Sequence, residues 1–305
     1  GGTMSAETPA RPLPSRHRSR ARARRLLLLL AVPALLWFVV FMIGPLVSLF
    51  YYSLTKWQGL LGEPVFSGLE NFARMVSDPD VHVATRNSLL QLVITIPIMI
   101  AIAFMVAYYL NLQRRGHRLV RAVLFTPLLL SAPVLAMVML GVFSPNGMAN
   151  SILATFGVGP VSWLTTARFA LPVLWAVGIW SGTAVSSIML AARLADIPGE
   201  VYEAAELDGC GHWRRMWRIA FPIAFEYVGV IVMLQYLWVL FSSAALVLLL
   251  TRGGPGNSTM TLSFLVYDLS FNRSQVGYGQ AIAVVLFIVG VVGMLAIRRA
   301  FRARY

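Results

Sequence analysis

Residues 199–222 read Gly-Glu-Val-Tyr-Glu-Ala-Ala-Glu-Leu-Asp-Gly-Cys-Gly-His-Trp-Arg-Arg-Met-Trp-Arg-Ile-Ala-Phe-Pro. Within this stretch three residues separate Glu203-Ala204-Ala205 from Gly209. Nine further residues lead to Ile219, and Pro222 comes three positions after that. The stretch is polar, yet long apolar segments stand on both sides of it, so the chain threads in and out of an apolar medium around a short charged loop.

Working outward, six segments have the roughly 20 mostly apolar residues that a spanning helix needs. They are about 26–49, 89–110, 123–142, 169–192, 220–250 and 281–297. The fifth is long enough to start before the bilayer or to tilt within it. Six apolar runs without a polar face do not suit buried helices of a soluble domain. Composition agrees: 58% of the 305 residues are hydrophobic and only 12% are charged.

The net charge of +13 reads as topology rather than as a nucleic-acid footprint. Nineteen of the 25 basic residues lie in 1–25, 111–121, 191–218 and 298–304, each beside an apolar span. Basic flanks mark the cytoplasmic side and can attract anionic lipid. The N-terminus is therefore placed inside, with 51–87, 144–168 and 251–280 outside. Six spans return Arg298, Arg299, Arg302 and Arg304 to the cytoplasm. No nucleic-acid recognition module accompanies the arginines, and no nucleic-acid partner is expected. The expected fold class is an all-α membrane protein of six transmembrane helices, both termini cytoplasmic.

Residues 1–25 read as a disordered, Arg-rich cytoplasmic extension, with Gly1-Gly2-Thr3 ahead of Met4 as a cloning remnant. The apolar stretch behind them is about twice the length of a signal core and has no small-residue cleavage site, so it is read as a retained first span. The membrane domain is then 26–305, interrupted by a cytoplasmic loop at 196–219. Pro33, Pro45, Pro97 and Pro133 suggest kinks in a bundle that encloses a cavity. Pro127 and Pro172 read as ordinary helix-end prolines.

Inside the loop, Pro198 suits a first helical turn, and Glu200, Glu203 and Glu206 are assigned to the positive end of its dipole. Asp208-Gly209 makes a turn, since glycine tolerates positive φ. His212–Ile219 then leads into the fifth span, with Pro222 near its start. Alone, Glu-Ala-Ala is a common helical tripeptide; its spacing and position are what single it out.

That full spacing resembles the cytoplasmic signature of binding-protein-dependent ABC importer permeases: Glu-Ala-Ala, three residues, Gly, nine residues, Ile, one residue, Leu-Pro. Every position fits except Leu, where Phe221 stands. The resemblance implies the type I ABC importer transmembrane fold in a bacterial inner membrane. It implies a coupling loop of Glu203, Ala204, Ala205, Asp208, Gly209, Ile219 and Pro222 that seats in a cytoplasmic ATPase. It further implies two ATPase subunits, which bind the ATP and Mg, a second similar permease, and an extracytoplasmic solute-binding protein or lipoprotein. Gly68-Leu69-Glu70-Asn71-Phe72, Asn87 and the run 250–259 resemble outer loops of the carbohydrate branch, which carries maltose, trehalose or glycerol-3-phosphate.

Sugars are held by hydroxyl-directed hydrogen bonds and by aromatic faces. The fourth and fifth spans offer both kinds of group. Following the resemblance, Gly182, Gln235, Trp238 and Ser242 are the candidate solute contacts, with Tyr236 and Ser243 as the alternatives one residue further on. The competing reading is helix packing through small polar residues. Glu226 is the only acidic residue near a span interior. It lies close to the inner interface, where it reaches water or an arginine rather than relaying protons.

Catalytic chemistry finds little here. The only lysine, Lys56, follows Thr55, so no phosphate-cradling Gly-Lys-Ser/Thr loop exists. His17, His82, His117 and His212 are scattered, and a single cysteine, Cys210, offers neither a disulfide nor a cysteine metal cluster. No catalytic or metal residue is assigned, and the chain is read as a non-enzymatic subunit. The rival reading, an ion-gradient-driven secondary transporter, would need buried ionisable groups at mid-membrane and internal repeats. A membrane scaffold that moves no solute is a third.

Overall fold

A computed structural model describes residues 29–59, 62–113 and 115–302. The Arg-rich segment 1–25, the leader 1–3, residues 26–28 of the first span, Arg114 and Arg304 lie outside the described residues. The chain divides into two units at Tyr51 and Tyr52. The first is apolar helix α1, Leu29–Ser53, which runs two residues past that division.

In the second unit the helices are α2 (Glu70–Ser77), α3 (Pro79–Asn111), α4 (His117–Leu129), α5 (Ala132–Val142), α6 (Met148–Thr155) and α7 (Ala167–Ala195). They continue as α8 (Gly199–Leu207), α9 (His212–Leu250), α10 (Leu262–Tyr267) and α11 (Val276–Ala300). Five helices, α1, α3, α7, α9 and α11, are each long and apolar enough to cross a membrane. Among the described residues the expectation of an all-helical chain holds apart from one short antiparallel ribbon, β1 (Thr55–Lys56) against β2 (Val65–Phe66).

The third span departs from expectation. Instead of one helix over 123–142, α4 and α5 meet at an angle of 117°. The prolines account for the break. Pro127 lacks an N–H and crowds the preceding turn, and α4 ends two residues later; Pro133 sits in the first turn of α5, where a missing N–H is tolerated. Leu130 and Ser131 between them are extended. The pair is a broken span or a re-entrant segment, giving six crossings in the first case.

The second and fifth spans start earlier than their apolar runs. Asp78 caps α3 by accepting from the Asp80 N–H at 2.9 Å, with Pro79 in the first turn, so the helix begins ten residues ahead of the apolar stretch. The helix α9 starts at His212 and passes through a wider π turn at Met216–Ala220, just ahead of Pro222. The loosened turn makes room for a residue that cannot donate a backbone hydrogen bond.

Helix α3 lies along α7, and α9 packs on α3, α7 and α11. Two apolar clusters hold them. One, toward α8, gathers Phe104, Tyr108, Leu190, Leu194, Met216, Ala220 and Ile231. The other, toward α10, gathers Val81, Leu135, Leu174, Val247, Phe264 and Ile282. On α3 and α7 the buried polar residues fall between the clusters: Gln91 and Thr95, then Thr183, Ser186 and Ser187.

At the N-terminus of α11, the Gly277 N–H donates to the Trp57 carbonyl at 3.0 Å. A Cβ on Gly277 would strike the Thr55 carbonyl, a backbone atom that cannot step aside. Gly277→Ala is expected to destabilise the folded chain by roughly 1–3 kcal/mol, as overpacking of a filled site does. A thermal unfolding series in detergent checks this; an unchanged midpoint would refute the contact.

Candidate functional site

Helix α8 is two-faced. Tyr202 and Ala205 turn toward the apolar cluster, where Tyr202 meets Tyr108 edge-on at 6.5 Å between ring centroids. Burial is the main cause that raises the Tyr202 phenol above its ordinary pKa. On the other face Val201, Glu203, Ala204, Leu207 and Asp208 are exposed, and Leu207 is 90% accessible. The exposed face thus sets a leucine beside an acid and a small residue.

The turn after α8 is closed by Gly209, at φ +70°. The Cys210 N–H donates to the Ala205 carbonyl at 2.9 Å and the Gly209 N–H to the Glu206 carbonyl at 3.0 Å. This paired arrangement satisfies the last carbonyls of the helix and requires a left-handed residue at that place. The expected role of Asp208-Gly209 as a turn is thus observed. Of the three acids assigned to the positive end of the dipole, only Glu200 stands in the first turn; Glu203 lies mid-helix and Glu206 in the last turn of α8, and Pro198 precedes the helix as its cap residue.

Glu206 has a different partner. Its carboxylate accepts from Arg215 Nη1 at 3.0 Å, and the same Nη1 reaches the Tyr202 carbonyl at 3.4 Å. Arg215 Nη2 lies 3.0 Å from His212 Nδ1. Arg215 is only 6% exposed, an unusual depth for an arginine. Opposite charges nine residues apart across a glycine turn are the signal from which this pair could have been read. Ile219 is half-buried within the π turn and Pro222 is exposed one turn later.

The solute candidates divide. Gln235 is buried and donates from Nε2 to Ser186 Oγ at 2.8 Å and to the Gly182 carbonyl at 3.3 Å. These two bonds bring Gln235 and Gly182 together between α9 and α7. A Cβ on Gly182 would run into Met99 of α3, so the glycine permits the three-helix approach. Trp238 and Ser242 stand at helical spacing from Gln235; Trp238 is 64% exposed and Ser242 half-buried. They form one stripe on α9.

Tyr236 and Ser243 point elsewhere. The Tyr236 hydroxyl donates to the Val289 carbonyl of α11 at 2.7 Å, and its ring covers Gly293. Ser243 Oγ lies 2.8 Å from Ser263 Oγ of α10 and 3.4 Å from Thr261. Both hold neighbouring helices, so the one-residue shift is not the arrangement that faces α7. Glu226 is exposed on the second turn after Pro222.

At the opposite end from α8 the loops form a bonded platform rather than loose connectors. Asn71 Nδ2 donates to the carbonyls of Ser53 and Thr55, and Asn87 Nδ2 to those of Ser258 and Met260, all at 2.9 Å. Arg273 bridges Asp80 at 2.7 Å and Asp268 at 2.6 Å, while Asp80 also accepts from Asn257 at 2.9 Å. Asp78 accepts from the Tyr278 hydroxyl at 2.8 Å, with the Arg74 guanidinium 4.1 Å above that ring. The sequence pointed to Asn71 and Asn87; the Asp80–Arg273 bridge, 193 residues apart, left no local trace.

Comparison with known proteins agrees with this layout. The chain is 29% identical to the diacetylchitobiose uptake system permease protein NgcF of Streptomyces coelicolor, covering 94% of this chain and 88% of that one. It is 31% identical to the multiple sugar-binding transport system permease protein MsmF of Streptococcus mutans, covering 88% and 92%. Its fold matches a chain of a bacterial alginate ABC transporter crystallised with an alginate pentasaccharide-bound periplasmic protein. That match has a TM-score of 0.82 at 20% identity and covers 94% of this chain and 99% of that one. The family described as the binding-protein-dependent transport system inner membrane component matches residues 99–305, a range that takes in α8, its glycine cap and the stripe on α9. It is to this family of inner-membrane transport permeases that the chain belongs.

Proposed function

We propose that this chain is the membrane-spanning subunit of an ATP-driven importer that brings a sugar, most simply a di- or oligosaccharide, into the cytoplasm. The observation that carries the reading is the exposed Glu203-Ala204-Leu207 face of α8, set on a capped helix directly ahead of the unbroken α9. Glu203, Ala204, Ala205, Asp208, Gly209, Ile219 and Pro222 form the coupling element, with the whole of 196–219 on the cytoplasmic side as the basic flanks suggest. The ATPase partners bind ATP and Mg, and this chain performs no catalysis. A second permease completes the pathway, and an external binding protein delivers the solute to the platform around Asn87 and Arg273.

Within the bilayer, Gly182, Gln235, Trp238 and Ser242 are the proposed solute contacts. The relatives whose names mention diacetylchitobiose and multiple sugars support a saccharide. A hydrogen-bonding amide beside an exposed indole also suits one. Purifying the tagged chain from its native membranes in mild detergent is expected to bring down an ATPase, a second permease and a binding protein. Recovery of the chain alone, or only as a self-oligomer, would contradict the proposal.

A further inference from the structure

We infer that Arg215 is a positioning residue of the import cycle, the strut that makes α8 and α9 move as one body; this rests on the coupling role proposed above. The glycines at 209 and 211 leave a hinge between the two helices, and a hinge alone would let α8 swing without moving α9. Arg215 spans the hinge. It lies in the first turn of α9, and its guanidinium holds the Tyr202 carbonyl and the Glu206 carboxylate of α8 together with His212 of its own turn.

The burial of the two partners shows what the bridge is for. Glu206 remains 71% exposed while the Arg215 side chain is 7% exposed. Water screens the acid, so the pair adds little to stability, yet the buried fork fixes direction and distance. Arg215 Nε is also buried with no partner among the described residues. An arginine drawn into an apolar setting with a donor unused is an uneconomical way to stabilise a loop, and a fitting one for holding a geometry. From Arg215 the helix continues through the π turn at Met216–Ala220 to Gln235, about 30 Å at 1.5 Å per residue. A displacement of α8 therefore reaches the bonds to Ser186 and Gly182 through a single rod.

The test uses the complete importer, purified through a tag on this chain and reconstituted in liposomes with its binding protein. ATP hydrolysed and solute imported are measured together. Arg215→Met, which keeps the stem volume, is expected to retain the ATPase subunits but to raise ATP consumed per solute by on the order of fivefold, the scale of inter-site coupling. Glu206→Ala, a change at an exposed position, should raise the ratio less, and Arg215→Lys should restore part of it. An unchanged ratio in Arg215→Met and Glu206→Ala would overturn the inference. So would a fall in uptake matched by loss of ATPase from the complex, which would make the bridge a docking or folding element. Failure of the underlying coupling reading looks different: the unsubstituted importer would then show no ATP-dependent uptake.

Discussion

Replacing Glu203 with alanine is expected to cut ATP-driven uptake by at least about tenfold, within the usual range of coupling free energies between sites. Folding should be untouched. Glu203 is exposed on α8, and exposed substitutions away from caps and buried pairs usually shift stability by less than about 0.5 kcal/mol. Gly209→Ala should act through a different cause. No atom stands within 4 Å of a Cβ there, so nothing clashes, but φ of +70° costs an alanine roughly 1–2 kcal/mol. That strain loosens the cap of α8 and should reduce uptake along with a measurable loss of stability. Uptake and thermal unfolding measured on both variants separate the two mechanisms. Normal uptake in Glu203→Ala would remove the main support for α8 as the coupling element.

Replacing Trp238 with alanine is the corresponding test of the solute path. Its side chain is 64% exposed, so the folded chain does not depend on it, unlike Tyr236, which anchors α9 to α11. If the indole carries a sugar face, its removal should cost roughly 1–2 kcal/mol of binding, or about five- to thirtyfold in the KM of uptake. The maximal ATPase rate should stay near that of the parent. Tyr236→Phe is the control: it removes the bond to the Val289 carbonyl and should lower stability by about 1 kcal/mol with little change in KM. An unchanged KM in Trp238→Ala would move the solute path away from this face of α9.

The sequence made the fold legible because apolar length and basic flanks are simple signals with one physical cause, the bilayer. Five of the six expected spans are whole helices near their anticipated places, and α3 and α9 differ only by starting early on polar turns that a hydropathy reading does not count. The third span broke because Pro127 and Pro133 lie close enough together to stop one helix and start another. Reading Pro127 as an ordinary helix-end residue came near the truth without anticipating the 117° bend. At the coupling helix, the Gly209 turn was legible because it is local. The Arg215 bridge left only the faint signal of opposite charges across that turn, and an arginine among four basic residues of a cytoplasmic loop looks like one more topological charge. The split between Gln235 and Tyr236 was invisible. One residue of register turns a side chain by about 100° on a helix, and only the partners on α7 and α11 distinguish the two.

The measurement that bears most directly on the account is uptake of a labelled disaccharide into liposomes holding the purified importer and its binding protein. It is run with ATP present or absent and with ionophores that abolish every ion gradient. The account predicts uptake that requires ATP, survives the ionophores and falls in Glu203→Ala while the ATPase subunits remain bound. Uptake that persists without ATP and stops when the gradients collapse would contradict it.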